Sequence, residues 1–221
     1  MITDFRVVVG TLLVVRNPLS PAVLSNLLTF DSHRHLLHAI SRLGCVLYTN
    51  AVIRILHPSF ADFLSNRVWC KTDVWFIDLP THNLRVIIHC MDCLDGFLKY
   101  NVGDMDFPAP ADVSLPEDVS YACVFWIEHV CIIKDAFAIA DRLEAFLFKH
   151  LLHWFEAMSI LKRSRDSIGL LSRLRDWHNV RQNYFSYLFP SLYSGRIICQ
   201  TICVCKSLFK TGIVLLLPPL P

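Results

Sequence analysis

Apolar positions in the first 66 residues recur with a helical period, and proline, glycine and capping residues interrupt them. The apolar run over residues 5–15 predicts a first helix, although Gly10 lies inside it. Ser20 followed by Pro21 is typical of a helix start, because serine caps free amides and proline suits the first helical position. A second helix is therefore predicted over residues 21–28.

A third helix is predicted over residues 31–43, where apolar side chains repeat at spacings of three and four. Asp31 precedes this helix as a cap, and Gly44 ends it. Short apolar runs then lie on both sides of Thr49-Asn50, a pair that is typical of turns. This pattern predicts a β-hairpin at about residues 45–56.

The period changes back to helical after His57. Pro58 suits the first turn of a helix, and Phe60, Phe63 and Leu64 form one apolar stripe behind it. A fourth helix of eight residues is therefore predicted to start at Pro58. The order of helix, helix, helix, hairpin and helix is the winged-helix topology.

Two expectations follow for this module. Phe60 and Phe63 are expected to be buried against Leu36, Ile40 and the hairpin. His57 stands at the junction of a strand and a helix, and a helix N-terminus can bind phosphate or another anion. The alternative is a packing histidine that is hydrogen-bonded across the junction.

Residues 67–177 keep the helical period with short connections, which predicts an α-helical bundle. Its helices are predicted at 80–99, 117–131, 135–149, 151–162 and 165–177, with a break near His150. Residues 178–221 carry four basic residues and no acidic ones, and they are predicted to be an atypical, poorly ordered tail. The predicted fold class is therefore mainly α: a winged-helix module at 1–66, followed by a bundle at 67–177.

Composition narrows the function only slightly. The 221 residues carry a net charge of +2, which argues neither for nor against a nucleic-acid partner. The first four residues lack the basic region of a signal peptide, and the nine cysteines are scattered. These features predict a cytoplasmic protein with reduced thiols. No uninterrupted apolar window of about 18 residues predicts a membrane helix.

Several stretches resemble one family. NPLSPAVLSNLL (17–28), LHAISRLGCVLY (37–48) and RILHPSFADFL (54–64) resemble the winged-helix module that follows the NTPase core in NACHT-class STAND proteins. DLPTHNLRVIIHCMDCL, DVSYACVFWIEHV and FLFKHLLHWFEAMSILKR resemble the helical region that comes next. The resemblance is to large fungal (basidiomycete) proteins that often carry WD40 repeats. It covers about residues 5–176.

The resemblance implies a role for His57. In animal NACHT receptors, a histidine before an S-F-Q-E-F-like run contacts the β-phosphate of bound ADP and holds the inactive state. His57 matches that position, and Ser59, Phe60 and Phe63 match the run. Asp62 stands where the animal proteins have Glu.

The resemblance also implies a regulatory module without catalysis, which packs on the NTPase core of the same or a related protein and relays its state. The chain contains no G-x-x-x-x-G-K-[ST] motif, so ATP hydrolysis is not expected of it. The expectation is a fragment that lacks the core, with no cofactor of its own and ADP or ATP only in a full-length relative. Protein partners are expected to bind through the helical region, and binding to a membrane is not expected.

Three other patterns are weaker. Cys90 and Cys93 form half of a zinc motif, and a second pair at matching spacing is missing. His35 and His38 are neighbours on the third helix without an evident third ligand, so no metal site is predicted. The third helix also suggests the alternative function, a winged-helix protein that binds nucleic acid. Its basic residues are too few for tight phosphate binding, so no nucleic-acid partner is expected.

Overall fold

The computed structural model describes residues 2–28, 40–72, 74–102 and 114–188, with backbone alone for residues 2, 3, 136 and 181–188. The prediction of a mainly α protein is confirmed. In these residues the helices are α1 (Ile2–Val14), α2 (Pro21–Leu28), α3 (Pro58–Ser65), α4 (Arg67–Cys70), α5 (Leu79–Phe97), α6 (Glu117–Ile132), α7 (Ala140–Ile160) and α8 (Ser164–Leu188). A 3-10 turn covers Ala136–Ala138, and the two strands are β1 (Leu47–Thr49) and β2 (Ile53–Ile55).

The chain divides into two compact units, residues 1–90 and 91–221. The division falls inside α5, whereas the sequence predicts a boundary after residue 66. Asp78 starts α5, because its Oδ2 accepts a hydrogen bond from the amide of Thr81 at 3.1 Å. The hydroxyl of Thr81 donates to the same Oδ2. This hydrogen bond, together with the weaker effect of the one from the amide, lowers the pKa of Asp78.

The first unit contains the predicted hairpin. β1 and β2 pair antiparallel, with Tyr48 opposite Arg54. The amide of Ile53 donates to the carbonyl of Leu19 at 2.8 Å, which forms an antiparallel bridge. The loop between α1 and α2 therefore lies along the free edge of β2. Of the predicted helix over residues 31–43, residues 31–39 lie outside the described residues; Ile40 and Ser41 are helical, and Arg42 and Leu43 lie in a turn.

The core of the first unit brings α1 and α3 together. Val9, Leu64 and Ile77 form a buried cluster, and Phe60 is half-buried against it. Phe63 is 41% exposed, so the prediction that it is buried is wrong. Phe60 and Leu64 are one turn apart and point to the core, and this orientation turns Phe63 outward. Leu36, its predicted neighbour, lies outside the described residues.

Gly10 lets α1 approach α5 closely. A Cβ atom placed at Gly10 would lie 2.4 Å from both Cε1 and Nδ1 of His82, far inside van der Waals contact. The His82 side chain is only 5% exposed. The glycine in the first apolar run is therefore a packing requirement, because any side chain at this position would overlap the imidazole ring.

The second unit is built on α6, α7 and α8. The indole rings of Trp126 and Trp154 meet edge to face, with centroids 5.8 Å apart. The Trp154 indole donates to the carbonyl of Cys123 at 2.9 Å. The Trp177 indole donates to the carbonyl of Ile133 at 3.1 Å, just past the end of α6. Each of these two tryptophans therefore adds a directed bond to its apolar contact area.

The predicted break near His150 is wrong, because α7 is one continuous helix. His150 is buried, and the apolar stripe runs through it from Leu147 to Met158 without glycine or proline. α7 ends at Ile160, and Lys162, two residues further on, adopts a positive φ of 58°. Its start is at Ala140 and not at the predicted residue 135.

The last described helix is longer than the sequence predicts. α8 runs from Ser164 to Leu188, so residues 178–188 extend it and do not begin a tail at residue 178. The buried face of α8 contains Leu171 and Leu174 and extends to Trp177 and His178 on the same side of the helix. The remainder of the predicted tail lies outside the described residues.

Candidate functional site

His57 is the N-cap residue of α3. Its backbone is extended, with φ −135° and ψ 132°, and Pro58 follows at the first helical position. The ring nitrogen Nδ1 accepts a hydrogen bond from the amide of Ser59 at 3.1 Å. An amide of the first helical turn has no partner within the helix, so this bond satisfies it.

Ser59 makes a second contact with the same ring nitrogen. Its hydroxyl oxygen lies 2.7 Å from Nδ1 of His57. Both side chains are exposed. Within the described residues, Nε2 of His57 has no hydrogen-bond partner. The site therefore consists of a ring that is held at one edge and accessible to solvent at the other.

Two arginines in the same unit lie over aromatic rings. The Arg54 guanidinium is 4.7 Å from the Tyr48 ring centroid, and the Arg67 guanidinium is 4.1 Å from that of Phe76. Such cation–π contacts hold one positive charge in β2 and one in α4, the elements that precede and follow α3 in the chain.

The chemistry that this site supports is limited. His57 offers one ring nitrogen to a ligand, and the chain provides no glycine-rich loop beside it. One hydrogen bond cannot hold a diphosphate, which needs a set of backbone donors. His57 can therefore complete a nucleotide site formed by other residues, and it cannot form one alone.

Cys90 and Cys93 are the sequence candidates for a metal site that lie within the described residues. Among the residues described, no group of three His, Cys, Asp or Glu side chains could hold a metal ion. Burial and, second, the nearby Asp118 raise the pKa of the Cys93 thiol to about 11. His33, His35 and His38 lie outside the described residues, as does most of the helix that the nucleic-acid alternative needs.

His82 is a core histidine. Burial, followed by the charges of Arg85 and Arg6, lowers its pKa to about 4, so the ring is neutral near pH 7. Its Nδ1 is buried without a hydrogen-bond partner in the described residues. The sequence pattern does not single out His82, and it does not show its close contact with Gly10.

Sequence reasoning missed a cluster of charges in the second unit. Lys149 Nζ and His150 Nε2 each lie 2.8 Å from Asp95 Oδ1. His150 is buried, and its Nδ1 is 3.5 Å from Nδ1 of His153. The hydrogen bonds from Lys149 and then from His150 lower the pKa of Asp95.

This cluster borders an open groove of about 290 Å³ between α7 and the last turns of α5. Arg142 also pairs with Asp92 there. The ion pairs between exposed partners contribute little, about 0–1 kcal/mol each, so we interpret the cluster as a contact between helices. The sequence gives little indication of this cluster, because its acidic and basic partners are some 50 residues apart.

Comparison of the chain with protein-family models, with curated proteins and with solved structures found no match in any of the three. In the described part of the chain, no helix combines the length and the apolar character that a membrane span requires. Over its described residues, the structure is that of a mainly α protein with one small antiparallel hairpin.

Proposed function

We propose that the chain is a non-catalytic regulatory module of a NACHT-type STAND signalling protein. Its first unit acts as a winged helix that packs on a nucleotide-binding core, and its helical region relays the state of that core. The order of α1, α2, hairpin and α3 supports this proposal. The bridge between Leu19 and Ile53 supports it as well, since winged helices pair the segment after their first helix with the hairpin.

The observation that carries the proposal is the exposed ring of His57 at the start of α3. A histidine that served packing alone would be buried, as His82 is. His57 is bonded at Nδ1 and exposed, so its second nitrogen is available to a docked core. An adjacent nucleotide-binding core would supply the phosphate cradle that this chain lacks.

The proposed mechanism is a change in one contact. In the ADP state, His57 donates a hydrogen bond to the β-phosphate and holds the module on the core. Such a bond is worth about 1–3 kcal/mol, since its acceptor is charged. Losing it shifts the balance between inactive and active states by roughly ten- to a hundred-fold. The module is then released to signal in the cytoplasm.

The helical region supplies the second half of the proposal. α7 exposes Phe148 and Leu152, which are one turn apart and therefore lie on one face. Apolar side chains in such positions are available to protein partners of the signalling complex. No nucleic acid or membrane has a part in the proposal.

The test uses a full-length NACHT protein that carries this module. His57→Asn keeps a good N-cap residue but removes the ring donor, whereas His57→Ala removes both. We expect both variants to lose ADP during purification and to signal spontaneously, and only His57→Ala to lose thermal stability as well. Unchanged ADP retention and unchanged output in His57→Asn would refute the proposal.

A further inference from the structure

We propose that Ser59 is a positioning residue that fixes the tautomer of His57, so that the exposed Nε2 always carries the proton. The contacts of the neutral ring lead to this conclusion. An amide N–H can only donate, and the amide of Ser59 points at Nδ1 from 3.1 Å. Nδ1 must therefore be the unprotonated nitrogen, and the proton of the neutral ring lies on Nε2.

The serine hydroxyl strengthens this assignment. Its oxygen lies 2.7 Å from the same Nδ1, and a hydroxyl can rotate to donate. Since Nδ1 carries no proton, the hydroxyl is the donor in this contact. The hydroxyl and the amide of Ser59 thus share the single lone pair of His57 Nδ1 in one three-centre hydrogen bond.

The consequence concerns what His57 can recognise. A ring with its proton on Nε2 presents a hydrogen-bond donor to solvent, so it selects acceptors such as a phosphate or carboxylate oxygen. The other tautomer would present a lone pair there and would repel these groups. The Nδ1–H tautomer would point its N–H at the Ser59 amide, so the cap favours the Nε2–H tautomer of the neutral ring.

This inference extends the proposed function, since it states the form in which His57 would meet a phosphate. The two can nevertheless fail separately. If the tautomer is fixed but a full-length protein with His57→Asn keeps its ADP, the proposed function is wrong and the role of Ser59 stands. If the tautomer is not fixed, the role of Ser59 is wrong whatever the ADP experiment shows.

The experiment uses the full chain labelled with ¹⁵N-histidine, at a mildly alkaline pH where imidazole is neutral. Long-range proton–nitrogen correlation distinguishes a protonated from an unprotonated ring nitrogen, and the signal missing in His57→Asn identifies His57. We expect the Nε2–H form in the wild type. Loss of one hydrogen bond in Ser59→Ala should lower the ratio of Nε2–H to Nδ1–H by about five-fold.

Three further variants make the result specific. Ser59→Thr restores the hydroxyl and should restore the ratio. Ser65→Ala removes the other serine of α3, whose hydroxyl bonds to the Ala61 carbonyl at 2.9 Å, and should leave the ratio unchanged. Ser59→Pro removes the amide donor as well and should lower the ratio further. An Nδ1–H form in the wild type, or a ratio that Ser59→Ala does not change, would overturn the proposal.

Discussion

Gly10→Ala tests the close contact between α1 and His82 of α5. The new Cβ would lie 2.4 Å from Cε1 and Nδ1 of His82 and 2.5 Å from its Cγ. Because Cγ is the root of the ring, rotation about χ2 cannot clear it. Either α1 moves away from α5 or the ring leaves its buried position.

The expected magnitude follows from two opposed terms. Overpacking of a close-packed contact costs about 1–3 kcal/mol. Replacing glycine by alanine inside a helix contributes about 0.5–1 kcal/mol in the other direction. The variant should therefore lose roughly 0–2.5 kcal/mol, and more if the ring is expelled from the core.

Urea denaturation followed by circular dichroism measures this change. Gly96→Ala in α5 and Gly169→Ala in α8 are matched controls, since a Cβ at either position has no neighbour within 4 Å. Both controls should be neutral or slightly stabilising, by up to about 1 kcal/mol. If Gly10→Ala behaves like these controls, the close approach of α1 and His82 is refuted.

A double-mutant cycle makes the test more stringent. His82→Ala removes the ring that the new methyl group would overlap. Gly10→Ala should then cost less in the His82→Ala background than alone, with a coupling of about 1 kcal/mol or more. Additive effects would show that the loss in Gly10→Ala has another origin.

Three further predictions concern the core, pH and nucleotide. Phe60→Ala should lower the free energy of unfolding by about 1–3 kcal/mol, because the ring is half-buried. Phe63→Ala should lower it by less than about 1 kcal/mol, because that ring is exposed. Equal losses for the two variants in urea denaturation would contradict this order. The pKa of His82 is about 4 when folded and 6.5 unfolded, so the unfolded chain binds the extra proton. The contribution of His82 to stability should therefore fall as the pH drops from 6.5 to 4, on the order of 1–3 kcal/mol. His82→Gln should reduce the pH dependence by that amount, while the contributions of His153 and His178 remain. The isolated chain should neither hydrolyse ATP nor bind ADP tightly, and micromolar ADP affinity by calorimetry would contradict this.

The sequence predicts elements well where local chemistry defines both ends. Ser20 with Pro21 locates α2, and Pro58 locates α3, because a cap and a proline act within a few residues. Prediction from the sequence fails where the burial of a side chain determines the structure. A histidine in the middle of α7 looks polar in sequence, but His150 is buried against Asp95, so the helix continues through it.

The candidate site shows the same division. The position of His57 at a strand–helix junction follows from the pattern of residues around it. Its hydrogen bonds to Ser59 do not, since they depend on the extended backbone at His57 and on a side chain that turns back over the helix start. The contact of His82 with Gly10 could not be predicted from the sequence either, because the two residues lie in different helices and are 72 positions apart.

Three histidines of this chain show why burial and partners decide what a histidine can do. His82 is enclosed against α1 with a depressed pKa, so it stays neutral and contributes packing. His150 is equally buried, but Asp95 and His153 bond to its two nitrogens, which leaves none for a ligand. His57 is held at Nδ1 by its own helix start and is exposed beyond it. Of the three, His57 combines a fixed orientation with an exposed second nitrogen, and these are the two properties that the proposed phosphate contact needs.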